Sequence, residues 1–324
     1  MMQIVLMGLG AGAAAALLFA SMTSGVGLAV FLFILAPLPI MIAALGWSHW
    51  AGLTATVAAA TMLGAVSGIF VFTTFLATVG LPAWWLGYLA LLGRPVANGG
   101  ATHMEWYPPG RLVLWAAVLG GAVAAWALVG LGGDEATIRN NLRSAIEAML
   151  RLQGGLSPDE PLRLPGIRNA DRLIDLFVMV VPPLMAVSTA ITEAGNLWLA
   201  GRIVKLSGRL NRPWPDLAAL SFPPLAAALF AIAVAGALMP DLPGLVASMF
   251  AATLTVAFTI LGFAVMHAVT RNMKSRAAVL FGAYGAVAVL WWPILILTLA
   301  GVAETLFGLR ARIASRGPPA VPKS

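Results

Sequence analysis

Three polar side chains stand out in an otherwise apolar stretch: Thr189, Glu193 and Asn196. Spaced four and three residues apart, they share one face of a helix. Glu193 is the one carboxylate well inside an apolar run, about six residues before the run's expected end at Ala200. A carboxylate in hydrocarbon is costly and must face a bundle interior or a cavity, where it marks a site. With the amide and the hydroxyl beside it, Glu193 would line a polar site for a small molecule. A second reading ends the helix early and leaves Glu193 at an interface.

Other candidates carry less chemistry. His267 closes an apolar run with Arg271 four residues on; a histidine can relay protons there, and it can equally be structural. Arg94, Glu105 and Arg111 lie in the densest polar and aromatic connection, 93–111. They would pair to lock two helix ends together, or contact lipid head groups or a partner. Glu304 has Arg310 and Arg312 nearby for a structural pair. The opening Gly8-Leu9-Gly10-Ala11-Gly12 imitates a dinucleotide-binding turn, but that fold needs an acid about 20 residues on, and the first acid is Glu105. Gly8, Gly12, Ala16 and Ala20 instead recur every four residues, as do Ala11 and Ala15. Such small-residue faces let helices approach closely in lipid. His49, His103 and His267 lie in separate connections and there is no cysteine. No metal site, cofactor or catalytic constellation is therefore expected.

The elements that must position these residues are set by the solvent. Hydrophobic residues make up 60% of the 324 and charged residues 10%, against roughly 25% charged in a soluble domain. Between Met1 and Gly93 there is no Asp, Glu, Lys or Arg. Water cannot host such a stretch, whereas a bilayer takes it as spans of about 20 apolar residues. Spans must be helical, because lipid offers no partner to an open backbone. The expectation is an all-α polytopic bundle of eight or nine spans, at 3–21, 26–45, 48–66, 68–92, 112–131, 173–200, 217–239, 244–268 and 277–307. The first has no basic n-region before it and reads as a retained span. Pro37, Pro39, Pro82, Pro182, Pro183, Pro223, Pro224 and Pro293 fall within these runs. Each deletes a backbone bond and kinks its helix, and broken helices are how many transporters expose backbone groups to a substrate.

The connection 132–172 holds half of the acids and six arginines. Within it Ile138, Leu142, Ile146, Met149 and Leu150 fall on one face, giving an amphipathic helix at 136–153 that lies on the membrane surface or against the bundle. The organisation expected is an N-terminal bundle (1–131), this connection, a C-terminal bundle (173–310) and a disordered basic tail (311–324). The net charge of +7 comes from bases at the ends of apolar runs, which is the positive-inside pattern and not a nucleic-acid face. With nine crossings the bases divide nine against ten between the two sides. If 277–307, interrupted by Trp291-Trp292-Pro293, folds back, they divide thirteen against six with both termini cytoplasmic.

The Gly/Ala-rich first span, Leu35-Ala36-Pro37-Leu38-Pro39-Ile40, Gly80-Leu81-Pro82 with Gly87, the polar connection before residue 171, and the basic run Arg202 to Arg212 stand together in this chain. In these features it resembles the YybS-like family of uncharacterised multi-pass membrane proteins. That family is in turn similar to the substrate-capturing subunits of energy-coupling-factor transporters, which dock a coupling partner through Ala-x-x-x-Ala faces on the first helix. The resemblance implies a bacterial inner-membrane location, a bound small molecule and a separate energising membrane subunit. It would place that subunit on Ala11 and Ala15 or on the row Gly8, Gly12, Ala16 and Ala20. Against it stands a scaffold that holds partners through the surface helix and the 93–111 connection.

Overall fold

The computed structural model describes residues 1–24, 27–98, 101–155, 157 and 169–315. The helices are α1 (Met2–Ala20), α2 (Leu28–Ile34), α3 (Pro37–Gly46), α4 (His49–Ser67), α5 (Ile69–Phe75), α6 (Leu81–Ala90), α7 (Pro109–Val129), α8 (Glu135–Gly154), α9 (Ala170–Leu206), α10 (Pro224–Gly236), α11 (Asp241–Val269), α12 (Arg276–Val289), α13 (Pro293–Phe307) and α14 (Leu309–Ser315). A π turn, Leu76–Gly80, joins α5 to α6. Among the described residues seven segments are long and apolar enough to cross a bilayer: 2–23, 28–46, 49–67, 69–90, 109–129, 170–206 and 241–269. The chain is thus an all-α polytopic bundle with fewer full-length spans than the eight or nine expected.

Prolines account for the difference. Residues 217–239 were expected to cross, but only Pro224–Gly236 is α-helical, 13 residues or about 20 Å, against hydrocarbon about 30 Å thick. Although the pair Pro182-Pro183 is accommodated inside α9, Pro223 and Pro224 disfavour helix in the residues before them. The stretch from Leu220 to Pro223 runs outside any helix. Close packing holds it there: a Cβ on Gly110 would collide with the Ser221 carbonyl. The 277–307 run divides likewise. Leu290 is extended (φ −118°, ψ 138°), Pro293 starts a new helix, and α12 and α13 have 14 and 15 residues.

Two further elements depart from expectation. The 93–111 connection contains a β-hairpin, Gly93–Asn98 (β1) antiparallel to Ala101–Trp106 (β2), with Arg94 opposite Glu105. The expected disordered tail begins helical, because α14 runs to Ser315; the remainder lies outside the described residues. Glu304 pairs with Arg310, whose Nε lies 2.9 Å from Oε1. Arg310 also donates to the carbonyls of Ala218 and Leu220.

The helices gather into two compact units that interleave along the chain. One comprises Met1–Ala116, Ile191–Ala228 and the chain from Thr255; the other comprises Ala117–Ala190 and Leu229–Leu254. In the first, α1 lies along α4 through its small residues. A Cβ on Gly8 would stand 2.6 Å from Thr54 Cβ, and one on Gly12 2.7 Å from the Ala55 carbonyl. Ala15 and Ala16 are buried, while Ala11 and Ala20 are half-buried. At Gly8 and Gly12 the row is therefore occupied by the chain's own α4. A second close crossing joins α11 to α13, where Cβ atoms on Gly262 and Gly301 would strike the carbonyls of Leu297 and Phe258. Beside it Thr259 and Thr298 share a buried hydroxyl bond of 2.9 Å.

In the second unit α8 is the expected amphipathic helix, and it lies against the bundle. Ile138, Leu142 and Ile146 are buried on Ile174, Val178, Leu128 and Met249. Arg143 ties this helix to α9 through Asp171 and Asp175. Asp134 caps it, accepting from the Thr137 amide at 3.0 Å and the Thr137 hydroxyl at 2.7 Å.

Two outcomes follow from this packing. Gly12→Val should lower stability in detergent by about 1–3 kcal/mol through overpacking, whereas Gly10→Ala, with open space around it, should change it by less than about 0.5 kcal/mol; thermal unfolding measures both. The Thr137 hydroxyl, then its amide, hold the Asp134 carboxyl below its ordinary 3.8. A depressed pKa means the cap is intact above that value and lost as pH falls through the folded one. Hydrogen exchange of the first turn of α8, corrected for intrinsic rates, should accelerate only below about pH 3.8. Asp134→Ala should show the fast rate at neutral pH.

Candidate functional site

The polar centre of the first unit is built by a break in one helix and repaired by another. Pro37 and Pro39 carry no N–H, so three carbonyls ahead of them lose or change partners. Phe33 accepts from Ala36 and Leu35 accepts from Leu38, each in a tighter turn. The Ile34 carbonyl would have taken Leu38, whose amide is now committed to Leu35. Asn196 of α9 fills the gap: its Nδ2 donates to Ile34 O at 2.8 Å and to Thr192 O at 2.8 Å. A freed carbonyl in lipid has to find such a donor.

One turn earlier on the same helix lies Glu193, 1% exposed. Its Oε2 is buried with no hydrogen-bond partner, and so is Oδ1 of Asn196. No ion pair reaches Glu193 among the described residues. The alternative in which the helix ends early fails, since α9 continues to Leu206, thirteen residues beyond Glu193. Thr189 stands apart from this arrangement: it is half-buried and its hydroxyl is spent on the Met185 carbonyl of its own helix. The site that geometry assembles is Glu193 with Asn196.

The remaining candidates are placed elsewhere. His267 Nε2 lies 2.9 Å from the Tyr284 hydroxyl, and Tyr284 stacks on Phe263 at 4.5 Å, which is a local tie between α11 and α12. Arg94 Nε meets Glu105 Oε2 at 2.7 Å across the hairpin, with side chains 77% and 49% exposed. Exposed pairs of this kind contribute about 0–1 kcal/mol. Arg111 shares a shallow depression with that pair but makes no ion pair among the described residues. No group of three potential metal ligands converges among them either.

Two features were not anticipated. One is an open depression of about 1090 Å³ in the second unit, with α8, α9 and α11 as walls, Arg139, Arg143 and Asp175 at its charged side and Met179, Pro183 and Leu245 among its apolar lining. Residues far apart in the chain build it, and no local pattern announces that. The other is Arg212. It bonds the carbonyls of Ala90 at 2.9 Å and Tyr107 at 3.3 Å, and its Nε is buried without a partner. The available signal was Arg212-Pro213-Trp214-Pro215, where prolines forbid a regular element and leave a base in compact, irregular backbone.

A charge-free opening and seven bilayer-length apolar helices define the class: an integral, multi-pass helical membrane protein. The family described as "Predicted membrane protein (DUF2232)" matches residues 13–304, and the chain belongs to that family. No curated protein and no solved structure matches it, so the expected similarity to energy-coupling-factor subunits gains no support from those comparisons.

Asn196→Leu removes the side-chain donor to the Ile34 carbonyl and should cost about 1–3 kcal/mol. Asn196→Asp, which has no amide donor to offer, should cost at least as much in thermal unfolding; a silent pair would show that the break needs no repair.

Proposed function

We propose that this chain binds a small molecule or ion within its membrane segment, as a transport-type protein does, with Glu193 and Asn196 as the polar site. One observation carries the reading: a fully buried carboxyl oxygen and a neighbouring amide oxygen on one helix face, both without partners. Both unmet atoms are acceptors, and a buried acceptor left alone costs about 1–3 kcal/mol, more when charged. What completes them must bring an N–H, an O–H or positive charge. A proton, a monovalent cation or an ammonium-bearing solute has that chemistry, and an anion does not. Intramembrane carboxylates commonly serve such paths, and the proline-broken α2–α3 supplies the irregular backbone that transporters place beside them.

On this reading the protein is not an enzyme and needs no cofactor, and its membrane is the bacterial inner membrane. The division of bases favours cytoplasmic termini if α12 and α13 together fold back. Any energising subunit would dock away from Gly8 and Gly12 of α1, which α4 occupies. A scaffold role has less support, because Ile138, Leu142 and Ile146 of α8 are already buried within the second unit.

The test is thermal stability of the purified chain across sodium, potassium, ammonium and choline salts and across pH, for wild type and Glu193→Gln. Wild type should gain a ligand-dependent shift of several degrees, about 3 kcal/mol at a hundredfold excess over Kd, and Glu193→Gln should lose it while expressing normally. Equal responses from both would remove Glu193 from the site. A shift that survives Glu193→Gln but disappears in Ser248→Trp would relocate binding to the depression of the second unit, which Ser248 lines.

A further inference from the structure

Arg212 presents a problem that its own fold leaves unsolved. The guanidinium is held between two backbone carbonyls, its Nε is buried with no acceptor, and no carboxylate reaches it among the described residues. An arginine stays charged in a protein; burial here pulls its pKa below the ordinary value, yet not by any means that neutralises it. Arg212 is half-buried, and charge withdrawn from water without a counter-charge is costly, which is why buried ions are paired.

The side chain lines a cavity of about 130 Å³ whose other walls are apolar, among them Leu45, Leu112, Val113, Leu197 and Trp214. Engineered apolar cavities near 150 Å³ stay dry and take a six-carbon ring, so this one has room for a few carbons of a chain. Its rim is open: Trp198 is 50% and Leu217 47% exposed. Two more bases stand on the ring that walls it, Arg202 at 5.3 Å and Lys205 at 5.2 Å from the centroid of Trp214. Neither has an ion-pair partner among the described residues. Three uncompensated bases, two tryptophans at the end of a span and an apolar hole describe the surroundings of an amphiphile's head and the start of its tail.

We propose that this cavity is a binding site for an anionic phospholipid, whose phosphate is held by Arg212, Arg202 and Lys205 and whose first acyl carbons enter between Val113, Leu197 and Trp214. The site is independent of Glu193, and its ligand has the opposite charge. Anionic lipid near a surface gains about fivefold in affinity per base, so two bases removed should weaken retention by roughly 25-fold.

The experiment reconstitutes the full chain in equal mixtures of phosphatidylglycerol and phosphatidylcholine and counts retained lipids by native mass spectrometry. Wild type should keep phosphatidylglycerol in preference to phosphatidylcholine. The exposed double variant Arg202→Gln with Lys205→Gln, which breaks no buried contact, should lose most of that preference. Val113→Phe, which fills the hole and leaves every base in place, should lose it too. Equal retention of the two lipids by wild type would overturn the proposal, and so would a double variant that retains phosphatidylglycerol as wild type does. In lipid-free detergent, inorganic phosphate should not stabilise the chain; stabilisation by phosphate as large as by phosphatidylglycerol would make the ligand a soluble anion and reject the lipid.

Discussion

Hydrocarbon offers no hydrogen bonds, and every feature of this structure answers that constraint. A helix satisfies its own backbone until a proline interrupts it, and from that point some other group has to supply the missing donor. At Pro37 and Pro39 two carbonyls are rescued by tightening the turn, and the third, on Ile34, is taken by Asn196 from 162 residues away in sequence. The break and its repair hold α9 in register with α2 and so determine where Glu193 lies. The proposed site follows from that repair: the residue that closes a helix break lies one turn from a carboxyl whose Oε2 has no partner.

Small residues answer the same constraint by other means. Helices in lipid gain little from burying apolar surface against each other, so they associate by close approach. The glycines of α1 against α4, and Gly262 with Gly301 between α11 and α13, bring backbone within reach of backbone. Where the chain leaves the helical regime between α9 and α10, charge replaces packing. Arg212 and Arg310 donate to four carbonyls of loop and helix ends, and Arg271 pairs with Asp216. Arginine suits this work because its five donors lie in a rigid fork.

The amphipathic helix shows how a pattern can specify an element without specifying its surroundings. Ile138, Leu142 and Ile146 require something apolar beneath them, and a membrane surface and a protein surface satisfy that requirement equally. The structure chose protein, with Arg143 bonded to Asp171 and Asp175 across the junction. Ile138, Leu142 and Ile146 are therefore covered, while Met149, expected on the same face, stays exposed.

Solvent and secondary structure were legible from the chain alone, because both are local. A charge-free opening of 93 residues dictates a bilayer, apolar length dictates helices, and four-residue spacing dictates the packing face of α1. The helix 136–153 and the isolation of Glu193 follow from the same periodicity. What local pattern could not supply was the partner of each group. It did not reveal that Asn196 closes the Ile34 break while Thr189 turns to its own helix, or that prolines cut two expected crossings to half length. Nor did it reveal the β-hairpin at 93–106, whose two strands pair with each other. It set Arg212 in irregular, proline-flanked backbone but did not reveal that this base meets only carbonyls among the described residues. Hydropathy is a property of a segment and survives any arrangement of its neighbours, whereas satisfaction of a buried polar atom depends on which distant segment arrives beside it. Only the tertiary structure decides that.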